Sequence, residues 1–180
     1  MLTITFKETE YYNETTNTFL NLPEKTVDFE FSLRAISRWE QKWKMPFLST
    51  QMGVDDFRLI DFYLMMSLDP TLSPLYLDDV AMSALSFYMN DKRSATIFTS
   101  QNESNANTRG KIYTAEEFYA LMFMNGIDLE FENRNLNELL NILRIISHYN
   151  SPPKKMSKQD IFKQNRELNA KRKAEYNTKG

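Results

Sequence analysis

The sequence predicts an α+β fold, mainly helical. A small antiparallel N-terminal sheet packs on a helical bundle, and a basic C-terminal helix projects from it. Three observations carry this prediction. Two-residue alternation with β-branched and aromatic side chains is concentrated in the first 31 residues. From Ser32 the apolar period lengthens to three and four residues, the repeat of a helix. The strands cluster instead of alternating with helices, which excludes a parallel sheet.

LTITF (2–6) alternates and reads as a strand. NTFLNL (17–22) and KTVDFEF (25–31) read as two more, connected by Pro23-Glu24. In the last of these, Val27, Phe29 and Phe31 share one face, with Asp28 and Glu30 on the other, the pattern of a half-buried antiparallel strand. The first helix opens at Ser32 as N-cap, carries Leu33, Ile36, Trp39 and Trp43 at helical spacing, and stops before Pro46. Trp39 is expected to be at least partly buried, against the sheet and the fifth helix. A second helix covers 54–67, with Asp55 and Asp56 favourable to its dipole. A third covers 78–90 and is rich in Met and aromatic residues.

SATIFT (94–99) and KIYT (111–114) flank a polar Asn- and Ser-rich segment and predict a hairpin with a long tip. Thr114 and Glu117 form a capping box for a fourth helix, which ends at Asn125-Gly126. The fifth helix runs from about Asn135 to Tyr149, with Leu136, Leu139, Leu140, Leu143 and Ile146 as its stripe. Ser157 and Asp160 form a capping-box variant that opens a terminal helix through about Tyr176.

Charge divides the chain at Ser151-Pro152-Pro153, where consecutive prolines prevent a continuous helix. Residues 151–180 hold nine basic and three acidic side chains, a net +6; residues 1–150 hold 13 basic and 21 acidic, a net −8. The organisation expected is a globular α+β domain over 1–150 and a basic helical tail over 151–180. The tail's apolar residues, among them Ile161, Phe162 and Leu168, make a stripe too thin for a core helix. Three readings follow: a solvated helix, a phosphate-binding helix, or a protein-docking helix ordered on binding. The candidate partner-binding residues are Ile161, Phe162 and Leu168 as the apolar face and Lys171, Arg172 and Lys173 as the charged one.

Composition removes most chemistry. At 42% hydrophobic and 26% charged residues the chain is ordinary globular sequence, which argues against global disorder. Its length suffices to bury roughly 70% of the unfolded surface. Cysteine is absent, so disulfides, thiolate sites and thiol nucleophiles are excluded. His148 is the one histidine, and four scattered glycines build no phosphate loop. The pairs Asp55-Asp56, Asp78-Asp79 and Glu116-Glu117 sit at predicted helix starts, where acids serve the dipole. His148 falls in a last helical turn and reads as structural. Trp39 and Trp43 on a basic helix read as core with snorkelling cations before nucleic-acid stacking. The ten Met residues read as core filling or, secondarily, as an adaptable client groove. No catalytic, cofactor-binding or metal-binding residue is expected. No signal peptide or membrane span is expected either.

Several segments resemble a family of tailed-phage proteins known as tail assembly chaperones or tail-assembly-associated proteins. They are FSLRAISRWEQKWKMPFL (31–48), SATIF (94–98), the run YTAEEFYALMFMNGIDLEFENRNLNELLNILRI (113–145), and PPKKMSKQDIFKQNRELNAKRK (152–173) with the terminal NTKG. They cover more than half of the chain in order, and residues 49–92 depart from the pattern. The resemblance implies a non-enzymatic role in the host cell cytoplasm during infection: transient binding of the tape-measure protein, or of other tail proteins, until tube subunits polymerise. Two other readings stand beside it. One is a structural virion component, such as a connector or tail-completion protein. The other is a nucleic-acid-binding protein acting through the basic C-terminal helix.

Overall fold

A computed structural model describes residues 1–53, 56–96, 113–150 and 158–176. The fold is α+β and mainly helical. Four strands, β1 (Leu2–Phe6), β2 (Thr9–Asn13), β3 (Thr18–Leu22) and β4 (Lys25–Phe29), precede six helices. These are α1 (Leu33–Trp43), α2 (Phe57–Met66), α3 (Asp79–Met89), α4 (Ala115–Met124), α5 (Leu136–Asn150) and α6 (Lys158–Tyr176). Short 3-10 turns lie at Phe47–Ser49, Pro74–Tyr76 and Leu129–Asn133.

The strands are two halves of one hairpin. β1 pairs antiparallel with β4 and β2 with β3. Leu2 faces Phe29, Phe6 faces Lys25, Thr9 faces Leu22 and Asn13 faces Thr18. Partner numbers sum to 31 throughout, so the register passes unbroken through the gap at Lys7-Glu8 and Pro23-Glu24. Proline has no amide proton to give a ladder, and the pairing lapses where Pro23 stands. At the tip, Asn13 Oδ1 accepts from the Thr15 and Thr16 amides at 3.0 and 3.3 Å. Asn17 takes the left-handed conformation there (φ 50°), which asparagine tolerates. The sequence alternation predicts three strands in this region, and β2 is a fourth that it does not show.

The inner half, β1 with β4, faces the core through Phe6, Val27 and Phe29, with Leu2 and Ile4 at its margin. Its other face is polar: Thr3 Oγ1 donates to Asp28 Oδ1 at 2.6 Å, and the Thr5 and Thr26 hydroxyls meet at 3.1 Å. β4 is paired on both edges. Beyond β1, it meets the segment that follows α2: the Glu30 amide donates to Met66 O at 2.9 Å, and the Leu68 amide to Asp28 O at 2.9 Å.

Expected to face solvent, Glu30 is instead mostly enclosed. Its carboxylate takes the Met1 ammonium at 2.8 Å, the Tyr88 hydroxyl of α3 at 2.7 Å and Asn135 Nδ2 at 3.0 Å. β4 ends at Phe29, and Tyr88 and Asn135 cover the side chain that follows. Asn135 is itself buried, and its Oδ1 accepts from the Asn137 amide in the first turn of α5 at 3.0 Å. The Leu136 amide donates to Phe31 O at 2.7 Å, fixing α5 beside the end of β4.

α1 and α4 begin on their predicted caps, whereas α2, predicted over 54–67, begins at Phe57. Ser32 Oγ accepts from the Ala35 amide, and α1 closes at Lys44 in a left-handed cap (φ 55°), two residues ahead of Pro46. Asp56 caps α2 and Asp78 caps α3. Thr114 and Glu117 form the predicted capping box of α4. α4 ends in a Schellman arrangement: the Ile127 amide reaches Met122 O at 2.9 Å and the Gly126 amide reaches Phe123 O at 3.3 Å. Gly126 sits at φ 64°, a conformation that favours glycine. The predicted hairpin over 94–114 falls largely in 97–112, outside the described residues.

Trp39 is the centre of the helical core, at 0% exposure. Its indole N–H donates to Arg58 O of α2 at 2.8 Å, and its ring meets Phe47 edge-on. These partners belong to α2 and the Phe47–Ser49 turn, where the sheet and α5 were expected. Beside it Asp61 of α2 accepts from Trp43 Nε1 at 2.9 Å and from Lys42 at 2.7 Å. Glu40 of α1 accepts from the Phe47 amide at 2.8 Å and from the Ala115 amide at 2.7 Å, a carboxylate at the N-terminus of α4.

The chain divides into two compact units, Met1–Ile145 and Ile146–Gly180. The division falls inside α5, ahead of Ser151-Pro152-Pro153. Within the first unit α5 buries Leu136 and Leu139 and packs Leu140 and Leu143 at the core margin.

Trp39→Ala should lower stability by about 3–5 kcal/mol, the range for emptying a large aromatic site. A denaturant midpoint shift worth under about 1 kcal/mol would remove Trp39 from the core. For Glu30, burial favours the neutral acid, but hydrogen bonds from the Met1 ammonium, Tyr88 and Asn135, with the ammonium charge, outweigh it and hold the pKa below the ordinary 4.5. A lowered folded-state pKa means the unfolded chain binds the proton first as pH falls. The contribution is therefore complete above pH 4.5 and fades below it, as the carboxylate protonates in the folded state. Thermal melts should show wild type more stable than Glu30→Gln at pH 7, with the gap closing below pH 4.5. A gap that stays constant with pH would show that Glu30 does not act through its charge.

Candidate functional site

The acidic pairs are absorbed by helix starts. Asp78 Oδ1 accepts from the Ala81 amide at 2.7 Å. Asp56 accepts from the Arg58 amide and holds the Arg58 guanidinium at 2.6 Å, so these hydrogen bonds keep its carboxyl below the usual range. Asp55 lies outside the described residues. Among those described, no three of His, Asp and Glu gather as a metal site would need, and no helix is long and apolar enough to cross a membrane. His148 is exposed in the last turn of α5, its ring beside Tyr149. The buried Trp39 and the hydrogen-bonded Trp43 offer no free stacking platform.

Methionine is divided between core and surface. Met66 and Met122 are buried, and Met45, Met65 and Met89 line the core margin. Met52 and Met82, with Leu59 and Phe87, line an open groove of ≈ 810 Å³ beside α2 and α3. Tyr63 lies in its wall, and burial pushes the phenol's pKa up. Phe87 stands 82% exposed there, so part of the groove wall is uncovered apolar surface.

α6 carries the predicted partner-binding residues. It spans 19 residues and buries none of them. Ile161 and Leu168, seven apart, lie about 20° from each other around the helix. Arg172, eleven beyond Ile161, falls about 20° to the other side of Ile161. These three share one face. Phe162 stands about a quarter-turn away, and Lys171 and Lys173 flank the face from opposite sides. The structure thus brings Ile161, Leu168 and Arg172 into one line and spreads the other three around it. The helix presents a narrow apolar ridge bordered by cations, with six bases against three acids along its length. Ser157, half of the predicted capping box, lies outside the described residues.

A second exposed surface was not anticipated. Among the described residues, 9–22 hydrogen-bond only to one another and to Lys7 and Glu8. The Tyr12 and Phe19 rings meet at a tilt across the strands with centroids 5.1 Å apart, yet are 52% and 72% exposed. Tyr11 and Leu20 form the pair on the opposite face. At the junction of the two halves Leu22 is buried, the Tyr76 hydroxyl donates to Pro23 O at 2.9 Å and Lys25 pairs with Asp69. That Lys25 hydrogen bond comes first in lowering the Asp69 pKa to about 2, with bonds from Thr71 adding to it. The sequence signal for this arm is the pair of short segments Tyr11-Tyr12 and Phe19-Leu20 on either side of a polar stretch rich in Asn and Thr.

Because α6 buries nothing, Ile161→Ser, Phe162→Ser and Leu168→Ser should each change stability by no more than about 0.5 kcal/mol. Truncation after Ser151 should leave a cooperatively melting domain with the Tm of the full chain. A truncated chain that melts without cooperativity would make α6 part of the core.

Compared with family models, with curated proteins and with solved structures, the chain matches none, and the site is read from its own residues.

Proposed function

We propose that the chain is a non-enzymatic tail assembly chaperone of a tailed phage, which binds the tape-measure protein transiently while the tail is built. The observation that carries this reading is α6: a 19-residue helix with every side chain exposed, a ridge of Ile161 and Leu168, and flanking cations. A helix that buries no face gains its packing from a partner, and a narrow ridge suits reversible docking on an amphipathic client. The resemblance in residues 152–173 supports the same role, and the groove beside Met52, Met82 and Phe87 offers a second adaptable surface. The setting proposed is the host cell cytoplasm during infection.

Co-expression with the tape-measure protein of the same phage tests the proposal. The full chain should co-purify with it, and the chain truncated after Ser151 should not. Ile161→Ser with Leu168→Ser should weaken capture about tenfold or more, as loss of central apolar anchors does. If neutralising Lys171, Arg172 and Lys173 abolishes capture, the apolar changes do nothing and DNA competes, the helix is a nucleic-acid contact. Stoichiometric recovery in purified virions would make the chain a structural component instead.

A further inference from the structure

We infer that the outer half of the hairpin, β2 with β3, is a self-association site that receives α6 of a second copy of this chain on the face bearing Tyr12 and Phe19. Register and alternation define that face. Partner numbers keep one sum along the whole ribbon, so Tyr12 and Phe19 lie on the same side as Leu2, Ile4 and Phe6, which turn toward the core. The body covers that side as far as Phe6, whose ring meets Tyr76 at 5.3 Å. Beyond it that side carries Glu8, Glu10 and Asn21 and then the exposed pair Tyr12 and Phe19.

Charge selects the occupant. Residues 8–24 contain four acids, Glu8, Glu10, Glu14 and Glu24, and no base. By strand alternation Glu8 and Glu10 stand on the Tyr12 face. α6 has a net charge of +3, all its side chains are exposed, and its apolar ridge is bordered by Lys and Arg. An acidic aromatic strip and a basic apolar ridge are complementary in both respects. Dimensions agree: a helix about 10 Å across covers two strands about 4.8 Å apart.

Each copy has one arm and one α6, so the contact joins unlike surfaces. It builds a reciprocal dimer or a head-to-tail series, which becomes a ring where the rotation closes. The inference does not depend on the tape-measure reading, since it is measured without any client. It does make a second copy and a client competitors for α6.

The test is sedimentation velocity of the full-length chain across a concentration series. The mass should exceed that of a monomer, rise with concentration and fall as salt shortens the Debye length below about 8 Å. Tyr12→Ser with Phe19→Ser, Glu10→Lys with Glu14→Lys, and Lys171→Glu with Arg172→Glu should each weaken association about tenfold or more. These positions are exposed, and an unchanged Tm verifies that each variant is folded. Mixing the arm-reversed and helix-reversed variants should restore association, because each supplies the partner charge the other lacks. A chain monomeric at every concentration overturns the inference. So does association that survives reversal in α6, which would mean arms pair with each other. A mixture that stays monomeric overturns it as well, since the two reversed patches would then not be each other's partners.

Discussion

Glu30 joins parts of the first unit that are far apart in sequence. Its carboxylate gathers the start of the chain, Tyr88 of α3 and Asn135 at the head of α5, while its amide donates to the end of α2. An enclosed carboxylate is tolerable only when donors replace the water it has lost, and here three do so. Burial and the bond to Glu30 push the Tyr88 phenol up to about 12, so it remains a donor across the neutral range. The Arg93 guanidinium lies 4.6 Å from the Tyr88 ring and pairs with Glu138 of α5, extending the network outward. Asn137 and Asn141 then hold the carbonyls of Met89, Asp91 and Lys92. The polar face of α5 is therefore spent on fastening the segment that leaves α3.

Much of this fold was legible in the sequence, because helix ends are local chemistry. Ser32, Asp56, Asp78 and Thr114 cap the helices they precede, and Asn125-Gly126 ends α4. Glu30 was not legible. Alternation assigns it to the solvent face beside Asp28, and it is the Met1 ammonium, Tyr88 of α3 and Asn135 that enclose it there. β2 was missed because Glu10, Tyr11, Tyr12 and Asn13 show no apolar alternation. A strand exposed on both faces has no burial to imprint a period of two on its sequence. The partners of Trp39 were misread for a related reason: periodicity gives the buried face of α1 but does not say which element covers it.

The candidate site divides along the same line. α6 was visible because charge and a thin stripe are properties of composition. Its face was less visible. Ile161, Leu168 and Arg172 align, while Phe162, Lys171 and Lys173 do not, so the six expected residues act as a ridge with a border. The hairpin arm left a weaker trace, since its meaning depends on a register that only the paired structure fixes.

The outer ribbon also exposes both of its strand edges, each a row of backbone donors and acceptors with no neighbour. Tyr11, Tyr12, Phe19 and Leu20 on such edges form the kind of segment that stacks into extended sheets. The four glutamates between residues 8 and 24 give every copy of the arm the same sign of charge, which opposes edge-to-edge growth. Pro23, unable to donate, closes one edge to continued pairing where the arm meets the body. The acids and the proline thus act as gatekeepers against growth of the ribbon into an extended sheet.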